Sequence, residues 1–302
     1  MNYENIIEGK NIYKKLKKFE LNIPQLNIPK GFATALIGEN GAGKTTLLNI
    51  LSGIRLDAKG DLTFFGEYSQ YDREKKAEVK NRIGYTGPGK YFLPQWTVNE
   101  VEQISQLLFD SFDKVKFNTL CDELAIFSDS LKDKKKKINS LSDGMKMKLM
   151  LAGVFARETD LLILDEPASP LDPLMRDKLN QMIGDYIHEG EGKKSVFFST
   201  HNISDMESIT DYAIIMEHGN VVEQGFVEDL KEKYILVKGD SQDAEKAEKV
   251  LYSISKNPYG FEGVCLAEDL DKLAGMNITK EIASLYQISV AVMKNNTNLK
   301  IR

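Results

Sequence analysis

Eight consecutive residues carry the plainest chemistry in this chain: Gly38, Glu39, Asn40, Gly41, Ala42, Gly43, Lys44 and Thr45, with Thr46 directly behind them. They match the spacing G-x-x-x-x-G-K-[ST]. Glycines at that spacing let backbone N–H groups close around phosphate oxygens, and a helix opening at the lysine adds the positive end of its dipole. Lys44 would reach the terminal phosphates as a point charge, and the Thr45 hydroxyl would face a Mg²⁺ ion. A glycine-rich turn that binds nothing is the competing reading. The apolar run Phe32 to Ile37 before the turn and the helical pattern Thr45 to Leu51 after it weigh against that. A second apolar run, Leu161 to Leu164, ends in Asp165 and Glu166. At the carboxyl end of a strand Asp165 can hold Mg²⁺ through its water shell, while Glu166 can polarise an attacking water. His201 closes the run Val196 to Thr200 and would emerge at the same edge, where contact with a terminal phosphate competes with a plain cap or a packed ring.

The elements that must position these groups can be read from periodicity. Residues 1–37 are β-rich, with Phe19 to Ile23 alternating, and further strand material lies at Leu62 to Phe65 and Arg82 to Tyr85. Residues 88–157 turn helical, with Val101, Ile104, Leu107 and Leu108 on a helical period. Strand and helix then alternate: helix Leu174 to Ile187, and strands at Ala213 to Met216 and Val221 to Val222 around the Gly219-Asn220 turn. That alternation predicts an α/β sheet with crossover connections. The region beyond residue 230 reads as a small separate α/β unit. In it a strand at Tyr234 to Val237, a charged helix at Asp243 to Leu251, a strand at Gly263 to Leu266 and a helical stretch at Thr279 to Tyr286 are expected.

Composition bounds the partners. In 302 residues, 42% are hydrophobic and 28% charged, which suffices for one large or two smaller cored domains. Forty basic residues against 45 acidic give a net charge of −5, which argues against broad electrostatic binding of nucleic acid and leaves a local basic patch open. Cys121 and Cys265 fit neither a disulfide framework nor a zinc site and read as buried small hydrophobes. No segment has the length of apolar sequence that spans a bilayer, and the opening Met1-Asn2-Tyr3-Glu4 does not read as a signal peptide, so a membrane role is expected to come through a partner.

One more motif decides the family. Leu141, Ser142, Asp143, Gly144 and Met145 precede the acidic strand and open a helix. The stretch resembles the LSGGQ signature of ATP-binding cassette (ABC) ATPases, and residues 5–225 carry that family's motifs in its order. The resemblance implies an α/β P-loop NTPase cassette over residues 1–230, with a mixed sheet, an N-terminal β-subdomain and a helical subdomain inserted at about 88–157. Residues 231–302 form the small C-terminal α/β unit. It implies ATP and Mg²⁺ as cofactors, Glu166 and His201 as catalytic groups, and Thr45 and Asp165 on the metal. Tyr13 would stack on adenine, although strand-edge packing is also open to it and Phe19 is a second candidate. Ser142, Asp143, Gly144 and Met145 would face the nucleotide of a second cassette, a copy or a paralogue, and Ser169 to Asp172 would be the D-loop crossing between the two. A transmembrane permease subunit is the implied partner, with the chain peripheral on the cytoplasmic face.

Three departures from the family pattern stand out. Pro88 falls where a glutamine is expected to reach Mg²⁺, with Gln95 the next glutamine along; Asp143 and Met145 replace a glycine and a glutamine. Together with Lys146 and Lys148 they resemble the multidrug and peptide exporter branch. Tyr91 to Trp96 would line the groove for a helix of the membrane partner or serve as subdomain core. Lys134 to Lys137 is a solvated charge run or a contact for phosphate or anionic lipid. Two rival functions are a soluble ABC ATPase acting on ribosomes or DNA and a regulatory cassette that binds ATP without turnover. The single phosphate loop and the short, heptad-free segment from Lys44 to Ser142 weigh against the first.

Overall fold

The structure, a computed structural model, describes residues 3–87, 92–126 and 135–301, with side chains described up to 296. Pro88, Tyr91 and Lys134 lie outside that set. The chain opens with the hairpin β1 (Asn5–Leu16) and β2 (Phe19–Pro29), followed by β3 (Ala33–Ile37) and helix α1 (Lys44–Ser52). Strands β4 (Lys59–Phe64) and β5 (Tyr68–Ser69) come next, then short helices α2 (Gln70–Lys75) and α3 (Ala77–Asn81), and β6 (Ile83–Thr86). The helical region contributes α4 (Val98–Leu108), α5 (Lys114–Glu123) and α6 (Asp143–Phe155). After it come β7 (Leu161–Asp165), α7 (Pro173–Glu189), β8 (Ser195–Thr200), β9 (Tyr212–Glu217), β10 (Asn220–Phe226) and α8 (Val227–Lys233). The rest comprises β11 (Tyr234–Gly239), α9 (Ala244–Ala247), β12 (Ser253–Asn257), β13 (Gly260–Leu266), β14 (Ile278–Ile282) and α10 (Leu285–Ile301).

The central sheet runs β10-β9-β3-β8-β7-β6, parallel except for β10. Both of its faces are covered, so its inner strands β3, β7 and β8 are buried at every position rather than alternating. Leu161 and Ile163 point into one core with Leu36, Leu47 and Phe197, while Leu162 and Leu164 point into the other with Ala35, Leu151 and Phe198. The antiparallel sheet β2-β1-β4-β5 covers the first face and helices α6 and α7 the second. The mixed sheet, N-terminal β-layer and inserted helices are those the sequence resemblance implies.

The helix expected through Val101, Ile104, Leu107 and Leu108 forms as α4, which buries only its first half, through Val98, Val101 and Glu102, and leaves Leu107 and Leu108 exposed. Two local expectations need correction. The helix expected over Asp243 to Leu251 shrinks to a 3-10 turn and the four residues of α9. The stretch from Thr279 is a strand: β14 pairs with β11, its side chains facing solvent on a sheet edge where Lys280 and Glu281 are at home. The helix starts only at Leu285, behind a Ser284–Gln287 capping pair.

A third sheet, β12-β13-β11-β14, is built entirely from residues after Lys233. Its β11 and β13 turn Val237 and Cys265 into a small cluster of their own, and Leu236 and Val264 into the main core. Helix α10 adds Leu285, Ile288, Ala291 and Val292 to that main core. Cys121 and Cys265 are both free and buried, and burial pushes the Cys265 thiol up to about 11, which leaves it protonated and inert. No helix among the described residues is long and apolar enough to cross a membrane.

Candidate functional site

Strand β3 delivers the chain to the carboxyl edge of the sheet between β8 and β9, the place where open α/β sheets bind ligands. Three glycines shape the turn there, two of them for separable reasons. A side chain on Gly38 would strike Met216 O at 2.6 Å, and Gly43 sits at φ 108°, a left-handed conformation at the helix start. No side chain caps α1, so its first N–H groups are left for an anion. At its other end Gly53 N donates to Ile50 O at 3.3 Å and the buried Arg73 guanidinium donates to Ile50 O and Leu51 O, completing the cap. Ala42 is buried and its N–H closes the loop onto Glu39 O at 3.1 Å.

Lys44 is buried, its ammonium donating to Gly38 O at 2.7 Å and Glu39 O at 3.3 Å. The same ammonium lies 3.3 Å from Glu166 Oε1, so an arriving phosphate competes with that carboxylate for the lysine. Glu166 adopts φ 50°, an unfavourable backbone for a side chain of its size. The turn this makes aims its other oxygen at His201, with Nδ1 2.7 Å from Oε2. The Glu166 side chain keeps 21% of its surface and His201 44%, so both remain open to solvent, Glu166 on the cleft wall itself.

Asp165 is fully buried at the end of β7, directly opposite Ser199 on β8. Ser199 Oγ donates to Asp165 Oδ1 at 2.5 Å and accepts from Glu166 N at 2.9 Å, fixing both acids. Sequence reasoning missed this serine; the signal was a polar Ser-Thr-His end on an otherwise apolar strand. Burial pushes the Asp165 carboxyl above its usual range, against smaller opposing effects of the Ser199 and Thr45 hydroxyls. Asp165 Oδ2 has no hydrogen-bond partner, an orphaned buried oxygen on a carboxyl that the Thr45 hydroxyl also influences. Thr45 and Asp165 therefore fit a divalent cation. Among the described residues no cluster of three or more His, Cys, Asp or Glu could hold a metal. The ion's remaining ligands would then be phosphate oxygens and water, as Mg²⁺ prefers. Asp165→Asn is expected to raise the melting temperature of the nucleotide-free protein, since it removes a desolvated charge, while abolishing Mg²⁺-dependent turnover. A thermal-shift assay beside an ATPase assay checks both.

The cleft around the loop, about 380 Å³, is walled by Leu16, Phe19, Glu39, Asn40, Gly41, Gly43, Lys44, Thr45, Thr46 and Glu166. Tyr13 is not among these residues. Side chains alternate across a strand, which places Tyr13 on the face of Lys15, Glu20 and Asn22, opposite Leu16, Phe19 and Leu21. There its phenol lies beside Glu20, whose carboxyl Lys15 holds below its usual range with a smaller contribution from Tyr13. Phe19 is the aromatic at the cleft: its ring tip is 2.6 Å from where a side chain on Gly43 would sit.

None of Ser142, Asp143, Gly144 and Met145 lines that cleft. Ser142 caps α6 by accepting from Met145 N at 3.2 Å; Asp143 is exposed and pairs with Lys146 at 3.0 Å; Met145 packs partly on the main core. A side chain on Gly144 would meet Pro170 O at 2.8 Å, so the signature helix opens directly against the loop from Ser169 to Asp172. Asp172 caps α7 by accepting from Met175 N at 3.1 Å. Gln95 is exposed in a turn, while Phe92 and Trp96 pack half-buried on the main core.

A phosphate loop on the switch edge of a parallel sheet, with an acidic strand end and a histidine beside it, defines a nucleotide-binding P-loop protein. The family described as ABC transporter matches residues 21–169. An uncharacterized ABC transporter ATP-binding protein of Nostoc sp. is 28% identical over 288 residues, covering 91% of this chain and 83% of the relative. The bacitracin transport ATP-binding protein BcrA of Enterococcus faecalis is 29% identical, covering 83% of this chain and 79% of its own. The energy-coupling factor transporter ATP-binding protein EcfA2 of Methanospirillum hungatei is also 29% identical, but this chain spans only 50% of its length. Among solved structures, an ATP-binding subunit of an ABC transporter superposes with a TM-score of 0.63 at 21% identity, over 75% of this chain and 92% of that one. The cassette MJ0796 in a dimeric post-hydrolysis state with ADP and Pi gives 0.62 at 22%, over 73% and 98%. The chain belongs to the ABC transporter ATP-binding cassette family. It is an ATPase of that family, with ATP and Mg²⁺ as its cofactors.

Proposed function

We propose that this chain is the ATP-hydrolysing subunit of an ABC exporter, with residues 1–230 as the engine and 231–302 as an accessory unit. The observation that carries it is the convergence of Lys44, Asp165, Glu166 and His201 on one sheet edge while the signature residues stay out of the cleft. A site with its own loop, metal ligands and base but no signature is half of a sandwich. Two cassettes, copies or paralogues, would complete each other: Ser142 and Gly144 of one would close over the phosphates held by Gly38 to Thr46 of the other. Asp172 would lie at the contact between them. Lys44 and the α1 N-terminus would bind the phosphates, Thr45 and Asp165 would hold a Mg²⁺ that offsets their charge, and Glu166 would take a proton from the attacking water. His201, oriented by Glu166, contacts the terminal phosphate. Loss of that phosphate removes the contacts across the dimer, which turns hydrolysis into separation of two subunits. The separation would act on a transmembrane permease, with this chain docked at the cytoplasmic face.

Export of amphipathic peptides or drugs is supported by the bacitracin transport relative and by the Asp143 and Met145 departures. Uptake, the competing direction, is represented among the relatives by the energy-coupling factor subunits. Reconstitution of the chain with its co-purifying membrane partner in vesicles separates them: ATP supplied on the cassette side drives cargo away from that side in an exporter and towards it in an importer.

Phe19 takes the adenine face in this reading, in place of Tyr13. Phe19→Ala is expected to weaken ATP binding by about 1–3 kcal/mol, the scale of base–aromatic stacking. Tyr13→Ala leaves affinity unchanged; a fluorescent ATP analogue titrated against both variants distinguishes the two aromatics.

A further inference from the structure

Helix α10 is tied to the cassette near both ends. At its start Leu285 N donates to Glu207 Oε1 at 2.9 Å, on the segment that follows His201. Further along, Asn296 Nδ2 donates to Glu217 Oε2. Glu217 is a buried carboxylate at the last position of β9, with His218 Nε2 3.6 Å from its other oxygen. A buried carboxylate is costly unless donors meet it, so its rotamer tracks those donors.

The His218-Gly219 turn, directly after Glu217, reaches both walls of the nucleotide cleft. Gly219 N donates to Ala42 O at 2.9 Å, holding the phosphate loop from behind. Gly219 O accepts from Asn22 N at 2.8 Å, on the strand that carries Phe19. The turn has no slack. Gly219 has φ 80°, a side chain there would fall 1.9 Å from Glu20 O, and Met216 O already presses on Gly38. One turn thus sets the spacing between the phosphate loop and the Phe19 strand, and the residue that opens it is held by a helix from outside the cleft.

We infer that Asn296 is a positioning residue for nucleotide binding: through Glu217 it fixes the His218-Gly219 turn that braces Ala42 and the Phe19 strand. The inference rests on the phosphate loop being the ATP site. Glu166 and His201 stand on β7 and β8 rather than β9, so loosening the turn acts on binding and spares the chemical step.

The test uses the full chain. Asn296→Ala is expected to raise both the KM for ATP and the Kd of a fluorescent ATP analogue by about three- to tenfold, the range of coupling through a packed network. The kcat stays at its original value, while the melting temperature falls by no more than the loss of one hydrogen bond to a buried carboxylate accounts for. Asn296→Asp sets a carboxylate against Glu217 and weakens binding further. Combining it with Glu217→Gln puts a donor opposite an acceptor again, in reversed order, and is expected to restore affinity. An Asn296→Ala variant that binds normally, or a combined variant that stays as weak as Asn296→Asp, overturns the inference. Lys44→Ala run in parallel separates the layers. If that variant binds ATP undiminished, the site assignment fails and this inference with it; if it loses binding while Asn296→Ala does not, the positioning role alone fails.

Discussion

Lys44→Ala is expected to abolish measurable nucleotide binding. The ammonium is buried, held between Gly38 O, Glu39 O and Glu166, at the centre of the loop that would wrap the phosphates. Removing one partner of a buried, hydrogen-bonded charge pair costs about 2–5 kcal/mol or more, a factor of roughly 30 to several thousand in Kd. Alanine adds a second penalty here, because it leaves Glu166 without its cation while a polyanion is brought in beside it. Calorimetric titration with ATP and Mg²⁺ reads the loss directly. The far-UV spectrum should be unchanged, since α1 is fixed by Leu47, Leu48 and Leu51 in the core rather than by the lysine.

Glu166→Gln separates binding from chemistry. The amide keeps the shape but cannot take a proton, so turnover falls by about 10²–10⁴-fold, the usual contribution of a general base. ATP affinity is retained or rises, because Lys44 no longer has a carboxylate competing with the phosphate. With hydrolysis blocked, the step that separates two cassettes is blocked as well, and the ATP-bound pair accumulates. Stopped turnover without accumulation of the pair would detach Glu166 from the dimer cycle.

The sequence was most legible where burial and chemistry coincide. The runs Ala33 to Ile37, Leu161 to Leu164 and Val196 to Phe198 are buried at every position, the polar Thr34 included, because the central sheet is covered on both faces, and each leads to a residue with a job at the ligand edge. Which aromatic stands at the cleft, Tyr13 or Phe19, was not legible for a geometric reason. A spacing counted along the chain does not say which face of the β1–β2 hairpin turns to the phosphate loop, and alternation gives that face to Leu16 and Phe19. Beyond residue 230 the local signals are weak. β14 carries charges typical of a helix surface because it is an edge strand, and Leu107 and Leu108 fit a helical stripe on a turn that never reaches the core. The Asn296–Glu217 pair depends on a contact between distant segments, which no local pattern encodes, and the polar end of β8 marks Ser199 without naming Asp165 as its partner.

The most direct test is the mass of Glu166→Gln in solution, by size exclusion with light scattering, with and without ATP and Mg²⁺. A single chain is 34.1 kDa. A shared, two-cassette site predicts one chain without nucleotide and a particle of twice that mass with it. A particle that stays at one chain while ATP is demonstrably bound, with no second cassette alongside, contradicts it.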